Sequence, residues 1–360
     1  MSKKIQIGIG LALGLFLLWL VFKDTDWPAV GSAIGSANVW WLLLGLAAVL
    51  VSFVTRIWRW GYIVRTAKPV SFRSMFSATQ IGFLSSFVLP GRAGEIVRAI
   101  ALSRIERIPF SKCFAFVALD RVTDVFGLLV VLLITVISFR PDGDIQLPPG
   151  TEFPEWASFL LKAEAIRNVA LSAFLFLVAV VAVFVLLYAK QGLALRISRA
   201  CVGLVSKRLA DRVNGMLKHF AEGMHVFRSP KGMACSLFFS LLTWSMFCIT
   251  LCSALFAFHL DMPWYSVFLI QSLVAVAISL PGAPGFIGQY HAAIIAGILI
   301  LSPTTDLDVS RALSLVLYLL NLVPVVIVGL YCLYREDLGL LQLRREGEEA
   351  EASNDQDEKD

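Results

Sequence analysis

Three ionisable residues stand inside a stretch that is otherwise apolar, Ala118-Leu119-Asp120-Arg121-Val122-Thr123-Asp124. On a helix, Asp120 and Asp124 share a face at i,i+4, and Arg121 pairs with Asp124 at i,i+3. Asp120 falls nine residues into the apolar run 111–139, roughly 13 Å along at ~1.5 Å per residue. Charges at such depth are costly in lipid and face a bundle interior or an aqueous cavity. Two readings fit: a working polar site, or a buried ion pair that only ties helices together.

A second group follows a helix break. Ser85-Ser86-Phe87-Val88-Leu89-Pro90-Gly91 stops an apolar helix, and the chain restarts with Arg92, Gly94, Glu95 and Arg98. Proline lacks an N–H and clashes with the preceding turn, so a continuous helix through position 90 is excluded. A restarted half-helix presents free N–H groups and the positive end of its dipole, which suits an anion. Arg92, Arg98 and Arg121 make phosphate the favoured guest, because the guanidinium fork matches phosphate oxygens. Glu95 would orient an arginine, or carry a proton or coupling ion. The plainer alternative is that Arg92 and Arg98 reach out to lipid headgroups.

The break recurs. Leu89-Pro90-Gly91-Arg92-Ala93-Gly94 has a partner in Leu280-Pro281-Gly282-Ala283-Pro284-Gly285, displaced by 191 residues, and Gln80 falls on Gln271 at the same displacement. Interrupted apolar segments in corresponding halves point to a transporter's binding site. Gly91, Gly94, Gly282 and Gly285 therefore join the candidate set, with Gln289 after the second break. His291 reads as an interior residue rather than a proton carrier. No phosphate-cradling loop, zinc-protease motif, nucleophile elbow or dinucleotide fingerprint occurs, so no enzyme activity, cofactor or metal is expected.

The elements that must hold these residues are membrane helices. The chain is 58% hydrophobic and 16% charged, and several runs reach the ~20 residues needed to cross a bilayer. Apolar segments are expected at 5–22, 39–62, 111–139, 168–189, 233–258 and 311–334. The first ends without a small-residue cleavage site, so it reads as an anchor rather than a signal peptide. Residues 23–38 read as a short loop. The six cysteines contain no C-x-x-C pair and suit packing rather than disulfides or metal.

Charge sets the orientation. Arg56, Arg59, Arg65, Lys68 and Arg73 precede the segment 74–89, and Arg92, Arg98, Arg104, Arg107 and Lys112 follow it. Basic residues on both flanks of a spanning segment would break the positive-inside rule. A re-entrant hairpin turning at Pro90-Gly91 satisfies it. Loops 259–263 and 302–310 lack Lys and Arg, so the second hairpin enters from the opposite side. The expectation is an all-α polytopic membrane protein of about six spanning helices with two re-entrant hairpins. Its two inverted repeats cover 39–139 and 233–334 within a membrane domain, 1–338. Residues 190–231, with nine Lys/Arg, read as a cytoplasmic amphipathic segment, and 339–360 as a disordered acidic tail. Both termini are expected in the cytoplasm, with the protein in the inner membrane.

The run Leu89-Pro90-Gly91-Arg92-Ala93-Gly94-Glu95 with Arg98, then Asp120-Arg121 with Asp124, then Leu280-Pro281-Gly282-Ala283-Pro284-Gly285-Phe286, resembles the flippase-like transmembrane domain of lysylphosphatidylglycerol synthases. The resemblance covers about 40–334. It implies translocation of an anionic phospholipid or lipid-linked headgroup bound by Arg92, Glu95, Arg98, Asp120, Arg121 and Asp124. In the bifunctional synthases an aminoacyl-transferase domain follows the membrane part. About 25 polar residues follow the last helix here, so that activity is not expected. Where relatives carry an acidic residue after the second break, this chain has Gln289, which puts a coupling role for that half in doubt. Expected partners are membrane lipids, with a second copy or a lipid-modifying enzyme as further candidates, and no nucleic acid. The alternatives are a non-transporting scaffold of such an enzyme and an ion-coupled carrier of small solutes.

Overall fold

The computed structural model describes residues 15–65, 68–89, 93–139, 163–189, 230–279 and 283–339, and every regular element among them is helical. After the described end of a first helix, 15–22 (α1), come α2 (Trp27–Ser36), α3 (Val39–Val64), α4 (Phe72–Val88), α5 (Gly94–Glu106), α6 (Phe110–Ser138) and α7 (Ala163–Ala189). Then follow α8 (Pro230–Ala257), α9 (Ser266–Ser279), α10 (Ile287–Leu301) and α11 (Leu307–Arg335). Five stretches among the described residues are long and apolar enough to cross a membrane: Val39–Val64, Phe110–Ser138, Lys231–Ala257, Pro284–Leu301 and Leu307–Arg335. The fourth is not one regular helix, because Gly285 and Phe286 adopt left-handed backbone at φ 70° and 57°.

Short polar caps start the long helices. Asn38, Ser71 and Asp306 each accept a hydrogen bond from a backbone N–H of the first turn of α3, α4 and α11, which supplies partners to otherwise unpaired donors. The segment expected to be a loop, 23–38, contains α2 instead. Asp26 caps it and Pro28 sits in its first turn, where a missing N–H costs nothing. Trp27 is exposed while Val30 packs into the core.

The helices pair in two matching sets. α4 packs on α5 as α9 does on α10, and α5 packs on α6 as α10 does on α11. Each hairpin also crosses to the other set, α4 against α11 and α9 against α6. The seam is α3 against α8. There the Asn38 N–H donates to the Ala257 carbonyl at 2.9 Å, Thr55 and Thr243 hydroxyls meet at 2.8 Å, and the Trp58 and Phe239 rings pack tilted with centres 5.5 Å apart. Rising numbers on α3 meet falling numbers on α8, so these counterpart helices run antiparallel. Gly45 lets them close up, since a Cβ there would stand 2.6 Å from the Ser253 hydroxyl.

Two separate apolar cores result. One gathers Ile57, Trp60, Met75, Ile81, Leu102 and Leu119 around the first hairpin, and the other gathers Leu251, Ile270, Ile294, Ile298 and Leu313 around the second. α4, α5, α9 and α10 have 17, 13, 14 and 15 residues, and of the four only α10, taken back through the kink to Pro284, forms a stretch long and apolar enough to cross a membrane. The expected basic segment 190–231, apart from Pro230 and Lys231, and the tail from 340 onward lie outside the described residues.

Candidate functional site

The aspartates of α6 sit at the centre of a buried ionic network. Asp120 accepts from Arg59 Nε through Oδ1 at 2.8 Å and from Arg98 Nη1 through Oδ2 at 2.7 Å. Arg59 also hydrogen-bonds Asp124 through Nη1. Arg59 and Asp120 side chains are each 1% exposed. Arg98 is equally enclosed, its guanidinium lying 3.8 Å from the centre of the Trp60 ring. The alternative in which Arg98 reaches out to headgroups is therefore wrong for this residue. Its partner lies inside, on the facing helix.

Arg121 differs. Its side chain is 41% exposed and joins three carboxylates: Glu95 at 3.1 Å, Asp124 at 3.3 Å and Asp120 at 3.8 Å. It bridges the half-helix α5 to α6. From the other half, the Trp244 indole on α8 donates to the Asp124 carbonyl at 3.1 Å and to Oδ1 at 3.3 Å. Arg56 lies between two rings, 4.7 Å from Phe83 and 4.6 Å from Phe247. Four arginines thus surround three carboxylates, which leaves an excess of one positive charge. Among the described residues, Nε and Nη2 of Arg98 have no hydrogen-bond partner.

Arg56 and Arg59 were counted with Arg65, Lys68 and Arg73 as the basic flank before the first hairpin. Both are on α3, and Arg59 is among the most buried side chains in the molecule. Their spacing of three, inside an apolar run, was the available signal. Removing them from the count leaves Arg65, Lys68 and Arg73 on that flank, so the charge argument about orientation keeps its form.

Residues flanking the two helix breaks lie against each other. Gly285, at φ 70°, lies against Phe87 at the end of α4, and its carbonyl accepts from the Tyr318 hydroxyl at 3.0 Å. Tyr318 also packs edge-on to Phe87. At the first break, Gly94 is pressed onto Gly82 and Ser86, where a Cβ has no room. Gly91, Arg92 and Gly282 lie outside the described residues. Gln289 is buried at the start of α10, one turn beyond the break.

Matching the sets residue by residue exposes an asymmetry. The 191-residue displacement pairs Arg56, Arg59, Glu95 and Arg98 with Phe247, Thr250, Phe286 and Gln289. α6 and α11 both have 29 residues, and end-to-end pairing sets Asp120, Arg121 and Asp124 against Leu317, Tyr318 and Asn321. Paired in this way the second set is uncharged at these places, whereas at the 191-residue displacement Asp120 falls on Arg311, which pairs with Asp308 at 2.7 Å. Its polar groups pair locally: His291 Nδ1 meets the Ser314 hydroxyl at 3.1 Å, and Asn321 donates to the Leu317 carbonyl at 2.8 Å. His291 is an interior residue, as its sequence context suggested. No group of three or more metal-ligating side chains occurs among the described residues.

Residues 7–329 match the family described as the lysylphosphatidylglycerol synthase transmembrane region. The chain belongs to that family. As a member of the lysylphosphatidylglycerol synthase transmembrane family it is a multi-pass membrane protein. Among curated relatives, "Glycosyltransferase AglD" of Haloferax volcanii is 28% identical over 325 residues, covering 84% of this chain and 50% of that protein. "UPF0104 membrane protein PH1989" of Pyrococcus horikoshii is 28% identical over 144 residues, covering 38% of this chain and 41% of that one. The chain spans half or less of the curated relatives it matches. The glycosyltransferase name belongs to a protein twice the length of the matched region.

Proposed function

We propose that this protein is a lipid translocase of the cytoplasmic membrane, moving a phospholipid or lipid-linked headgroup that bears phosphate, and that it performs no covalent chemistry. The observation that carries this reading is the ionic network of Arg59, Arg98, Arg121, Glu95, Asp120 and Asp124 beside the first helix break. A network that only ties helices together gains nothing from spare donors, since an unpaired buried donor is costly. This network has surplus positive charge, unpaired nitrogens on Arg98 and a half-exposed arginine. An incoming phosphate would take Arg121 from its carboxylates and use the free faces of Arg98, with Arg92 adjacent in sequence. Arginine suits that exchange because it stays charged and binds bidentately.

The remaining elements support the same reading. The four short helices are the lengths of re-entrant halves, and helix ends inside a membrane are tolerated only where protein or water satisfies them. Phe87 and Gly285, flanking the two breaks, lie against each other, which suits the gate of an alternating-access carrier with one set rocking against the other along α3 and α8. In this scheme the positive-inside rule favours Arg65, Lys68, Arg73 and both termini on the cytoplasmic side. Lipids are the partners this scheme requires.

The test is scrambling of fluorescent and native lipids in proteoliposomes. Wild type should move phosphate-bearing lipids. Arg121→Gln should fold and bind detergent normally yet lose most transport, and Asp120→Asn should lose it as well. Inactivity of the wild type across anionic and polyprenyl lipids, with the protein folded, would favour a scaffold for a lipid-modifying enzyme. Equal transport by Arg121→Gln would make the network structural only.

A further inference from the structure

Away from the ionic network, a groove of 540 Å³ lies between the C-terminal end of α3 and the first turns of α8, lined by Trp58, Gly61, Tyr62, Arg65, Lys231 and Phe239. Its walls are aromatic, with Trp58 and Tyr62 ring centres 5.5 and 5.9 Å from Phe239. Both Trp58 and Tyr62 are substantially exposed. Arg65 follows the last residue of α3 and Lys231 is the second residue of α8, so the antiparallel seam brings two cations to one end. Arg65 uses Nε on the Val70 carbonyl at 3.3 Å. Among the described residues neither cation has a carboxylate partner.

Exposed Trp and Tyr beside Arg and Lys, at the end of a membrane-length helix pair, are the composition of a lipid–water border. The rings offer apolar faces to acyl chains, and the cations offer charge at headgroup level. A soluble anion would use the cations and leave the aromatic wall bare. An uncharged lipid would use the wall and leave the cations without a counter-charge. We propose that this groove binds one anionic glycerophospholipid, its phosphodiester between Arg65 and Lys231 and an acyl chain along Trp58, Tyr62 and Phe239. The site is separate from the Asp120 network, and it stands whether or not the protein translocates lipid.

The test uses the full chain in a neutral detergent, titrated with brominated phosphatidylglycerol or brominated phosphatidylcholine while tryptophan fluorescence is followed. Phosphatidylglycerol should quench at about a thirtyfold lower mole fraction, given about 1 kcal/mol from each of two basic residues near a membrane surface. That excess should vanish in Trp58→Phe, which removes the reporter, and in the double variant Arg65→Gln/Lys231→Gln, which removes the charge. Equal quenching by the two lipids overturns the proposal. So does an excess that survives in either variant. If millimolar inorganic phosphate abolishes the excess, the groove takes a free anion and the lipid assignment fails. Should the double variant not fold, Trp58→Phe alone decides, because an exposed ring can be exchanged without touching the core.

Discussion

Arg59 and Arg121 answer to the same two aspartates but do different work. Arg59 is enclosed and holds Asp120 and Asp124 together, so its loss takes one arginine partner from each and leaves Asp120 to Arg98 and Asp124 to Arg121. Arg59→Leu should destabilise the protein by about 3–5 kcal/mol, the cost of breaking a buried pair on one side, measured by unfolding in detergent. Arg121→Gln, at a half-exposed position, should cost about 1 kcal/mol or less while removing most transport. A variant that behaved the other way round would assign the site to Arg59. The aspartates, Glu95 and Arg98 were legible in the sequence because charge stands out in apolar runs. Arg59 was not, because its role depends on Asp120, 61 residues further on. An arginine near a helix end looks the same whether it faces a headgroup or a carboxylate.

At the scale of elements, hydropathy and punctuation located most helices to within a few residues. The breaks at Pro90 and Pro281 and the caps at Ser71 and Asp306 are local signals, each decided by its immediate neighbours. α2 escaped because an amphipathic helix of ten residues carries too little periodicity to separate it from a loop. What packs against what was also not legible, since close approach is set by absent side chains. Gly82 and Gly94 show this: a Cβ on Gly82 would stand 2.7 Å from Arg98 Cβ and 2.9 Å from the Gly94 carbonyl. Gly82→Ala should therefore cost about 1–3 kcal/mol and move Arg98 relative to Asp120. Gly285→Ala combines left-handed backbone with a Cβ 2.7 Å from the Tyr318 hydroxyl, so it should cost at least about 1 kcal/mol. Thermal unfolding of the two alanine variants checks both expectations.

For the whole molecule, the seam between α3 and α8 is the place to ask whether the halves move. Thr55 and Thr243 face each other across it in van der Waals contact and hydrogen bonding. A Thr55→Cys/Thr243→Cys variant should crosslink under mild oxidation and lose scrambling until reduced. Full transport by the crosslinked protein would mean that the seam is a fixed axis and that motion lies in the hairpins alone.

The residue-by-residue pairing of charged and neutral positions has a consequence for ancestry. An antiparallel pair of identical chains must carry the same ionic cluster twice. Once both copies are joined in one polypeptide, each can change alone, and here the arginines and carboxylates of one set stand against Tyr318, Asn321 and Gln289 in the other. A chain severed between 190 and 229 and produced as two fragments should reassemble through α3 and α8 and copurify. Neither fragment should be replaceable by a second copy of the other, because specialisation has made them unequal partners.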